Sequence, residues 1–524
     1  MTAPLSPLRK QSGSRLCWRG RVGLAVSIAA PVALLTGCSV GPDFKRPAAP
    51  EVDGYTSEAL STKTASADVA GGKEQRFALG EDIAQQWWTL FRSPELNTLI
   101  EQALKANPDM HAAQAALREA MELVYAQQGA YYPSIEAGLS ATRQKNAVGT
   151  LAPTLSSGSP LFNLFTAEVG VSYAFDVWGG SRRQVESLEA QAELQRFQLE
   201  ATYLTLTSNV VVAAVQEASL RAQITATEQV IKIETEVVDI FRRQQTLGAV
   251  AVAEVVAQEA TLAQLQATLP ALKKQLAQQR NLLARLAGRF PSEEPAQRFE
   301  LAALSLPEQL PVSLPSKLVE HRPDVRASEA QLHSASAQVG VAIANMLPQI
   351  TLTAAGGTTA TQVSQWFSPG NQFWSLGASL TQTLFDGGTL LHRKRAAEAA
   401  LDQAGAQYRS SVLTAFQNVA DTLRALQYDA DALNAQVAAE HAASESLAIA
   451  RKALALGSIS YLSLLNAEQT YEQTLIGLVQ AKANRYADTA ALFQALGGGW
   501  WNRPEEAAVQ ASVNPAQHST LRKN

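Results

Sequence analysis

Between residues 134 and 142 apolar and polar side chains alternate. Ile135, Ala137, Leu139 and Ala141 fall on one side, and Ser134, Glu136, Gly138, Ser140 and Thr142 on the other. The same period returns from Phe165 to Asp176, where Phe165, Ala167, Val169, Val171, Tyr173 and Phe175 oppose Thr166, Glu168, Gly170, Ser172, Ala174 and Asp176. Further on, Ile350, Leu352 and Ala354 alternate with Thr351 and Thr353, and Trp374, Leu376, Ala378 and Leu380 with Ser375, Gly377, Ser379 and Thr381. Successive side chains of a strand point to opposite faces, so the pattern predicts four strands of about 10 residues, each with one greasy and one wet face. That length and alternation suit a strand crossing a bilayer, with lipid on one side and water on the other. A half-buried hairpin on a soluble core would read the same way, and the targeting signal described below decides between them.

Elsewhere the period lengthens. From Gly180 to Gly248, and again from Gly388 to Gly457, there is no proline, and Ala, Leu, Gln, Glu and Arg predominate. Each run is roughly 69 residues, enough for a helix on the order of 100 Å at about 1.5 Å per residue. Ile224, Ile231 and Val238 recur at seven, with Val230 and Val237 beside them, which predicts coiled-coil-like seams. A return helix follows each glycine, to Gly288 and to Gly497, and Pro270 predicts a kink in the first of them. The Leu247-Gly248 and Leu456-Gly457 steps then mark tight reversals at the ends of two helical hairpins.

These elements occur twice. Asn107-Pro108-Asp109 recurs as Arg322-Pro323-Asp324, and Tyr132-Pro133-Ser134 as Leu347-Pro348-Gln349, both at an offset of about 215. Phe175-Asp176 with Gly179-Gly180 matches Phe385-Asp386-Gly387-Gly388, Leu247-Gly248 matches Leu456-Gly457, Glu259 matches Glu468, and Ala287-Gly288 matches Leu496-Gly497, at about 209. Landmarks in one order at near-constant spacing indicate an internal duplication. In each copy a helix begins at a proline (Pro108, Pro323) and ends before a second (Pro133, Pro348), and two strands and a long helical hairpin follow. The predicted organisation is a signal peptide over 1–37, an extended segment over 38–86, repeats over 87–290 and 316–500 with a linker over 291–315, and a flexible tail over 501–524.

The address is written at the N-terminus. Arg9, Lys10, Arg15, Arg19 and Arg21 precede an apolar run from Val22 to Leu35, with no acidic residue before Asp43. That is a signal-peptide profile, and about 14 apolar residues are too few to span a bilayer. Leu35-Thr36-Gly37-Cys38 resembles the bacterial lipobox, in which the cysteine takes a diacylglycerol through its thiol and, after cleavage, an N-acyl chain. The resemblance implies that Cys38 is the lipid attachment point, and Ser39 in place of an aspartate after it implies the outer membrane.

The only other cysteine, Cys17, lies in the leader, so the mature chain has no disulfide and no cysteine-ligated metal site within one subunit. Its six histidines show no pair at helical ligand spacing. Losing the leader's five cations moves the net charge from -4 to about -9, which excludes nucleic acid as a partner. No phosphate loop, nucleophile elbow or metal set is present. Gly71-Gly72-Lys73 follows no strand, so an enzyme is not expected.

Four strands cannot close a barrel, since single-chain outer-membrane barrels begin at about eight, and an open edge in hydrocarbon leaves backbone groups unpaired at several kcal/mol each. Two copies would give only a narrow barrel that side chains can fill. Three copies give about twelve strands and twelve helical segments. The expected fold is therefore mainly α with a transmembrane β-barrel portion, a homotrimeric twelve-stranded barrel continued by a twelve-helix periplasmic α-barrel.

Over essentially the whole mature chain the sequence resembles the outer-membrane factor family, the TolC-like exit ducts of tripartite efflux pumps, in its lipoprotein branch. The resemblance rests on Cys38-Ser39-Val40-Gly41-Pro42-Asp43 with Arg46-Pro47, and on Trp87-Trp88 with Phe91, Pro94, Leu96, Leu99-Ile100 and Ala103-Leu104. It rests further on the paired proline junctions, Phe385-Asp386-Gly387-Gly388, and Ala495-Leu496-Gly497-Gly498-Gly499-Trp500.

It implies a passive trimeric channel carrying small molecules from periplasm to exterior, docked on a periplasmic adaptor that is coupled to an inner-membrane pump. Leu247, Gly248 and Ala249 with Leu456, Gly457 and Ser458 fall where that family contacts its adaptor. Leu462 matches an apolar gate ring, and Asn466 falls where an aspartate is common; their duplicates are Ala253 and Ala257. Asn in place of Asp removes three charges from a trimeric ring, which leaves a cation- or pH-sensitive version of that gate unsupported. A duct for type I protein secretion would share the architecture, whereas an adhesin-like coiled-coil lipoprotein would lack the four two-faced strands and the duplication.

Overall fold

The computed structural model describes residues 39–145 and 161–503. The predicted signal peptide, Cys38 and the tail beyond Arg503 lie outside the described residues. In chain order the elements are β1 (Arg76–Leu79), α1 (Pro94–Ala106), α2 (Pro108–Gln128), β2 (Ser134–Lys145), β3 (Leu161–Phe175), α3 (Gly180–Thr246) and α4 (Val252–Leu286). There follow β4 (Gln309–Val312), α5 (Pro315–His321), α6 (Pro323–Ala344), β5 (Gln349–Ala360), β6 (Gln372–Thr381), α7 (Thr389–Ala455) and α8 (Tyr461–Ala495). Helices α3 and α7 each run 67 residues, and α4 and α8 each 35. Pro270 lies inside α4, which stays helical on both sides of it. Two compact units emerge. The first takes in Leu123–Glu189, His333–Asp402 and the chain up to Phe44, and the second Lys45–Glu122, Ala190–Leu332 and the chain from Gln403 onward. Each unit draws on both copies of the duplication.

In the first unit the four predicted strands form one antiparallel sheet in the order β2-β3-β5-β6. Register carries the alternation straight across it: Ile135, Val171, Ala354 and Leu376 are successive partners, as are Ala137, Val169, Gly356 and Trp374. The other face aligns Ser134, Ser172, Thr353 and Gly377, and Thr166 and Thr359 share a 3.0 Å hydroxyl hydrogen bond. The apolar face is uncovered, with Leu139 and Trp374 each 78% exposed. Among the described residues strands β2 and β6 are hydrogen-bonded on one side only, which leaves both edges of the sheet open.

The repeated Phe-Asp motif turns strand into helix. Asp176 accepts from the backbone N–H of Ser181 and Arg182 at 3.2 and 3.1 Å at the start of α3, and Asp386 from Gly388 and Leu390 at 2.9 and 2.8 Å at the start of α7. Each carboxylate caps N–H groups that a helix start leaves orphaned. The residues after Cys38 are fastened at the first of these junctions. Val40 N–H donates to the Trp178 carbonyl at 3.0 Å, and Arg183 reaches both the Val40 carbonyl (3.1 Å) and Asp43 (2.6 Å). Phe44 stacks on His333 with ring centroids 4.3 Å apart.

The second unit holds the main core. Ser93 caps α1 by accepting from Leu96 N–H at 3.3 Å, with Pro94 in the first turn, and α1 buries Leu96, Leu99, Ile100 and Ala103. Trp87, fully buried, stacks on Phe493 of α8 at 5.1 Å. The segment predicted as a linker contains β4, which pairs in parallel with β1 from the predicted extended segment and buries Leu310 and Val312. At four residues each, these strands are too short to show an alternating period. The segment before β1 is held by Arg485 of α8, which donates to the carbonyls of Gly71 (3.0 Å) and Lys73 (3.1 Å) and to Gln75 (3.2 Å).

The duplication is visible in single contacts. Asn107 donates to the Leu286 carbonyl at the end of α4, and Arg322 to the Ala495 carbonyl at the end of α8, both at 3.0 Å. Gly288 and Gly497 close those helices with positive φ of 70° and 98°. A Cβ on Gly288 would lie 2.3 Å from the Ala106 carbonyl oxygen, and one on Gly497 2.7 Å from that of His321. Gly288→Ala and Gly497→Ala therefore combine left-handed strain with a backbone clash. Each should lower the yield of folded, protease-resistant protein by about tenfold or more, as expected when a clash has no room to relax. A wild-type yield would refute the packing described.

Candidate functional site

The hairpin ends predicted as docking tips sit in the second unit at residues 247–251 and 456–460, between α3 and α4 and between α7 and α8. Both helices stop in the same way. Gly248 N–H donates to the Gln245 carbonyl and Ala249 N–H to that of Gln244, each at 2.9 Å. Gly457 and Ser458 repeat this with Leu454 and Ala453, again at 2.9 Å. This is the Schellman closure, which needs a left-handed residue just past the helix, and φ is 75° at Gly248 and 69° at Gly457. The return helix α4 is started by Glu254, which accepts from Ala251 N–H at 3.1 Å.

What distinguishes these glycines from Gly288 and Gly497 is open space: no atom lies within 4 Å of a Cβ built on either. Leu247 and Leu456 are each 83% exposed, and Ala249 and Ser458 are exposed as well. Two apolar side chains therefore project from tips whose helix-closing hydrogen bonds are already made. Such a surface can accept a partner without the tip reorganising.

One matched pair of ion pairs braces the hairpins. Arg242 meets Glu259 at 2.8 Å in the first, and Arg451 approaches Glu468 at 3.6 Å in the second, each pair 17 residues apart along the chain. Glu259 and Glu468 were legible as duplicated landmarks. The predicted gate residues lie on α8 between the second tip and Glu468. Leu462 is 63% exposed and Asn466, one turn on, is exposed too. Leu464, between them, is buried against Leu447 and Ala450. Thus α8 turns Leu464 and Glu468 inward and Leu462 and Asn466 outward, and the duplicates Ala253 and Ala257 are likewise exposed. Glu234 of α3, which meets Glu468, was missed by the sequence reading, because its duplicate position holds Ala443 and so no repeat flags it.

Among the described residues no helix is long and apolar enough to cross a membrane, and no group of His, Cys, Asp or Glu is placed to hold a metal ion. The family model for outer membrane efflux proteins matches residues 99–289 and 314–498, which takes in both repeats. The chain belongs to the outer membrane efflux protein family. It is 28% identical over 490 residues to the probable efflux pump outer membrane protein TtgC of Pseudomonas putida KT2440, covering 93% of this chain and 98% of that one. It is 26% identical over 480 residues to the probable outer membrane lipoprotein SilC of Salmonella typhimurium, covering 90% and 97%. The solved structure of the outer-membrane channel OprN superposes with a TM-score of 0.78 at 27% identity, covering 88% of this chain and all of that one. As a member of this efflux family the chain is a channel component and not an enzyme.

A Cβ at Gly248 or Gly457 meets no neighbouring atom, so Gly248→Trp and Gly457→Trp start from open space and carry left-handed strain of about 1–2 kcal/mol. They should leave outer-membrane assembly intact while reducing drug efflux to the level of a strain lacking the gene. Loss of the assembled protein would instead make both glycines purely structural. Leu462→Ala should raise the resting conductance of the purified channel in planar bilayers; an unaltered closed state would remove Leu462 from the gate.

Proposed function

We propose that three copies of this chain form the outer-membrane exit duct of a tripartite efflux pump, a passive channel for small molecules leaving the periplasm. The observation that carries this reading is the first unit's sheet. It has four strands, one uncovered apolar face and two open edges, which in hydrocarbon must be sealed by neighbouring chains. Three sheets joined edge to edge make a twelve-stranded barrel wide enough for a lumen, with the serine- and threonine-bearing face inward.

In this reading the α3–α4 and α7–α8 hairpins extend the duct into the periplasm. Leu247, Gly248, Ala249, Leu456, Gly457 and Ser458 meet an adaptor protein, which couples the duct to an inner-membrane pump. Leu462 and Asn466 narrow its periplasmic mouth. Since the duct is passive, choice of cargo belongs to the pump. Cys38 carries the diacylglycerol and N-acyl chain that anchor the N-terminus in the outer membrane. The fastening of Ser39–Asp43 at the start of α3 supports that role, because it holds the residue next to Cys38 beside the end of a lipid-facing strand.

Protein extracted in detergent from cells fed radiolabelled palmitate tests both parts. It should have the mass of three chains and show a central channel by electron microscopy, and Cys38→Ala should lose the label while remaining trimeric. A stable monomer, or a particle with a solid interior, would overturn the duct. Label persisting in Cys38→Ala would overturn the anchor.

A further inference from the structure

Within the second unit a cavity of about 170 Å³ lies between α3, α4 and α8. Glu234 of α3, Thr261 and Gln264 of α4, and Glu468 and Glu472 of α8 line it. Glu234 is 2% exposed and Glu468 7%. Two carboxylates do not belong there without a reason, because a buried charge is costly unless it is paired. Glu234 Oε1 and both oxygens of Glu468 are buried without a hydrogen-bond partner, and two carboxyl groups facing one small cavity can be held so only if a proton is shared between them.

Every ionisable neighbour bears on where that proton sits. From α7, Arg451 faces the pair, with Nη2 3.6 Å from Glu468 Oε1. From α8 come Glu472 and Tyr461, whose hydroxyl is buried without a partner and whose ring packs on Phe241 at 4.7 Å. The α4 residues lining the cavity are uncharged. Burial, then the charge and proximity of Glu468, push the Glu234 carboxyl up to about 8, and Arg451 opposes them. Burial also raises Glu468, but the proton shared with Glu234 and the charge of Arg451 favour its ionised form. The two carboxyls thus titrate as a pair that shares a proton, held chiefly on Glu234, with Arg451 facing the Glu468 side. Tyr461 stays neutral, because burial and the two carboxyls hold its phenol above its ordinary range.

We propose that Glu234 and Glu468 form a proton-dependent strap between α3 and α8 that restrains the second hairpin, and that loss of the shared proton releases it. This rests on the duct reading above. Glu468 lies on α8 six residues beyond Leu462, about 9 Å along the axis, so displacing α8 from α3 also displaces the proposed gate. The direction follows from linkage. A carboxyl raised above its ordinary value favours the packed state most at low pH; that advantage declines as pH rises above about 4.5 and is gone once pH passes the shifted value. Beyond that point two carboxylates face each other across a cavity with a single arginine. The duplicate of Glu234 is Ala443, so each chain carries the strap once.

Conductance of the purified channel in planar bilayers, from about pH 5.5 to about pH 9, tests the strap across the range in which it titrates. Wild type should be flat at low pH and rise about threefold or more with a midpoint near the shifted value. Glu234→Gln, which keeps a hydrogen-bond donor but has no proton to lose, should remain flat. Asp488→Asn should leave the rise in place; it removes a second half-buried acid, pushed up to about 7 by burial and Asp429. A Glu234→Gln channel that still rises, or a rise abolished by Asp488→Asn alone, overturns the strap while leaving the duct standing. A wild type that conducts at no pH sinks the duct itself. Thermal melting of the solubilised protein reads the same linkage without conduction. Wild type should melt lower at about pH 9 than at about pH 5.5, and Glu234→Gln should narrow that gap; an equal gap in both overturns the proposal.

Discussion

Open strand edges are the constraint from which the rest of this protein follows. A backbone N–H or C=O left unpaired in hydrocarbon costs several kcal/mol, and β2 and β6 each present a full row of them. The apolar face cannot relieve this, because Ile135, Leu139, Trp374 and Leu376 satisfy lipid and do nothing for the edges. Only further strands can, and within one chain there are none left to supply them among the described residues. Assembly is thus a condition of residence in the membrane.

Duplication meets that condition with a single design used twice. Asn107 and Arg322 grip the ends of α4 and α8, Asp176 and Asp386 start α3 and α7, and the two Schellman turns close the outgoing helices with the same hydrogen bonds. The copies part company where side chains carry specific work. Leu462 and Asn466 stand opposite Ala253 and Ala257, and Glu234 opposite Ala443. Backbone geometry was retained in both copies, while the side chains proposed to narrow a pore or to share a proton occur in one.

Glycine has two meanings here, and φ does not separate them. Gly248 and Gly288 have nearly the same backbone, 75° and 70°, yet one faces open solvent and the other touches the Ala106 carbonyl. The first leaves an apolar residue, Leu247, displayed on a satisfied turn; the second seals a core. Conformation sets which residue is allowed, and surroundings set what its replacement does.

Periodicity alone determined the four strands, their two faces, the 67-residue helices and the turns between them, since these elements answer to side-chain spacing of 2 or 3.6 and to local breakers. The tip turns were legible because turn chemistry is a local property, whereas Leu462 was singled out only by family resemblance. Tertiary structure decided what depends on contacts distant in the chain. Strands β1 and β4 are four residues each, too short to show a period, and exist because they pair with one another. Arg485 anchoring the segment at Gly71–Gln75, and Glu234 meeting Glu468, join positions hundreds of residues apart through burial that no spacing encodes. A lone glutamate on a long helix reads as a solvated charge until the neighbouring helices remove the water from around it, and only packing does that.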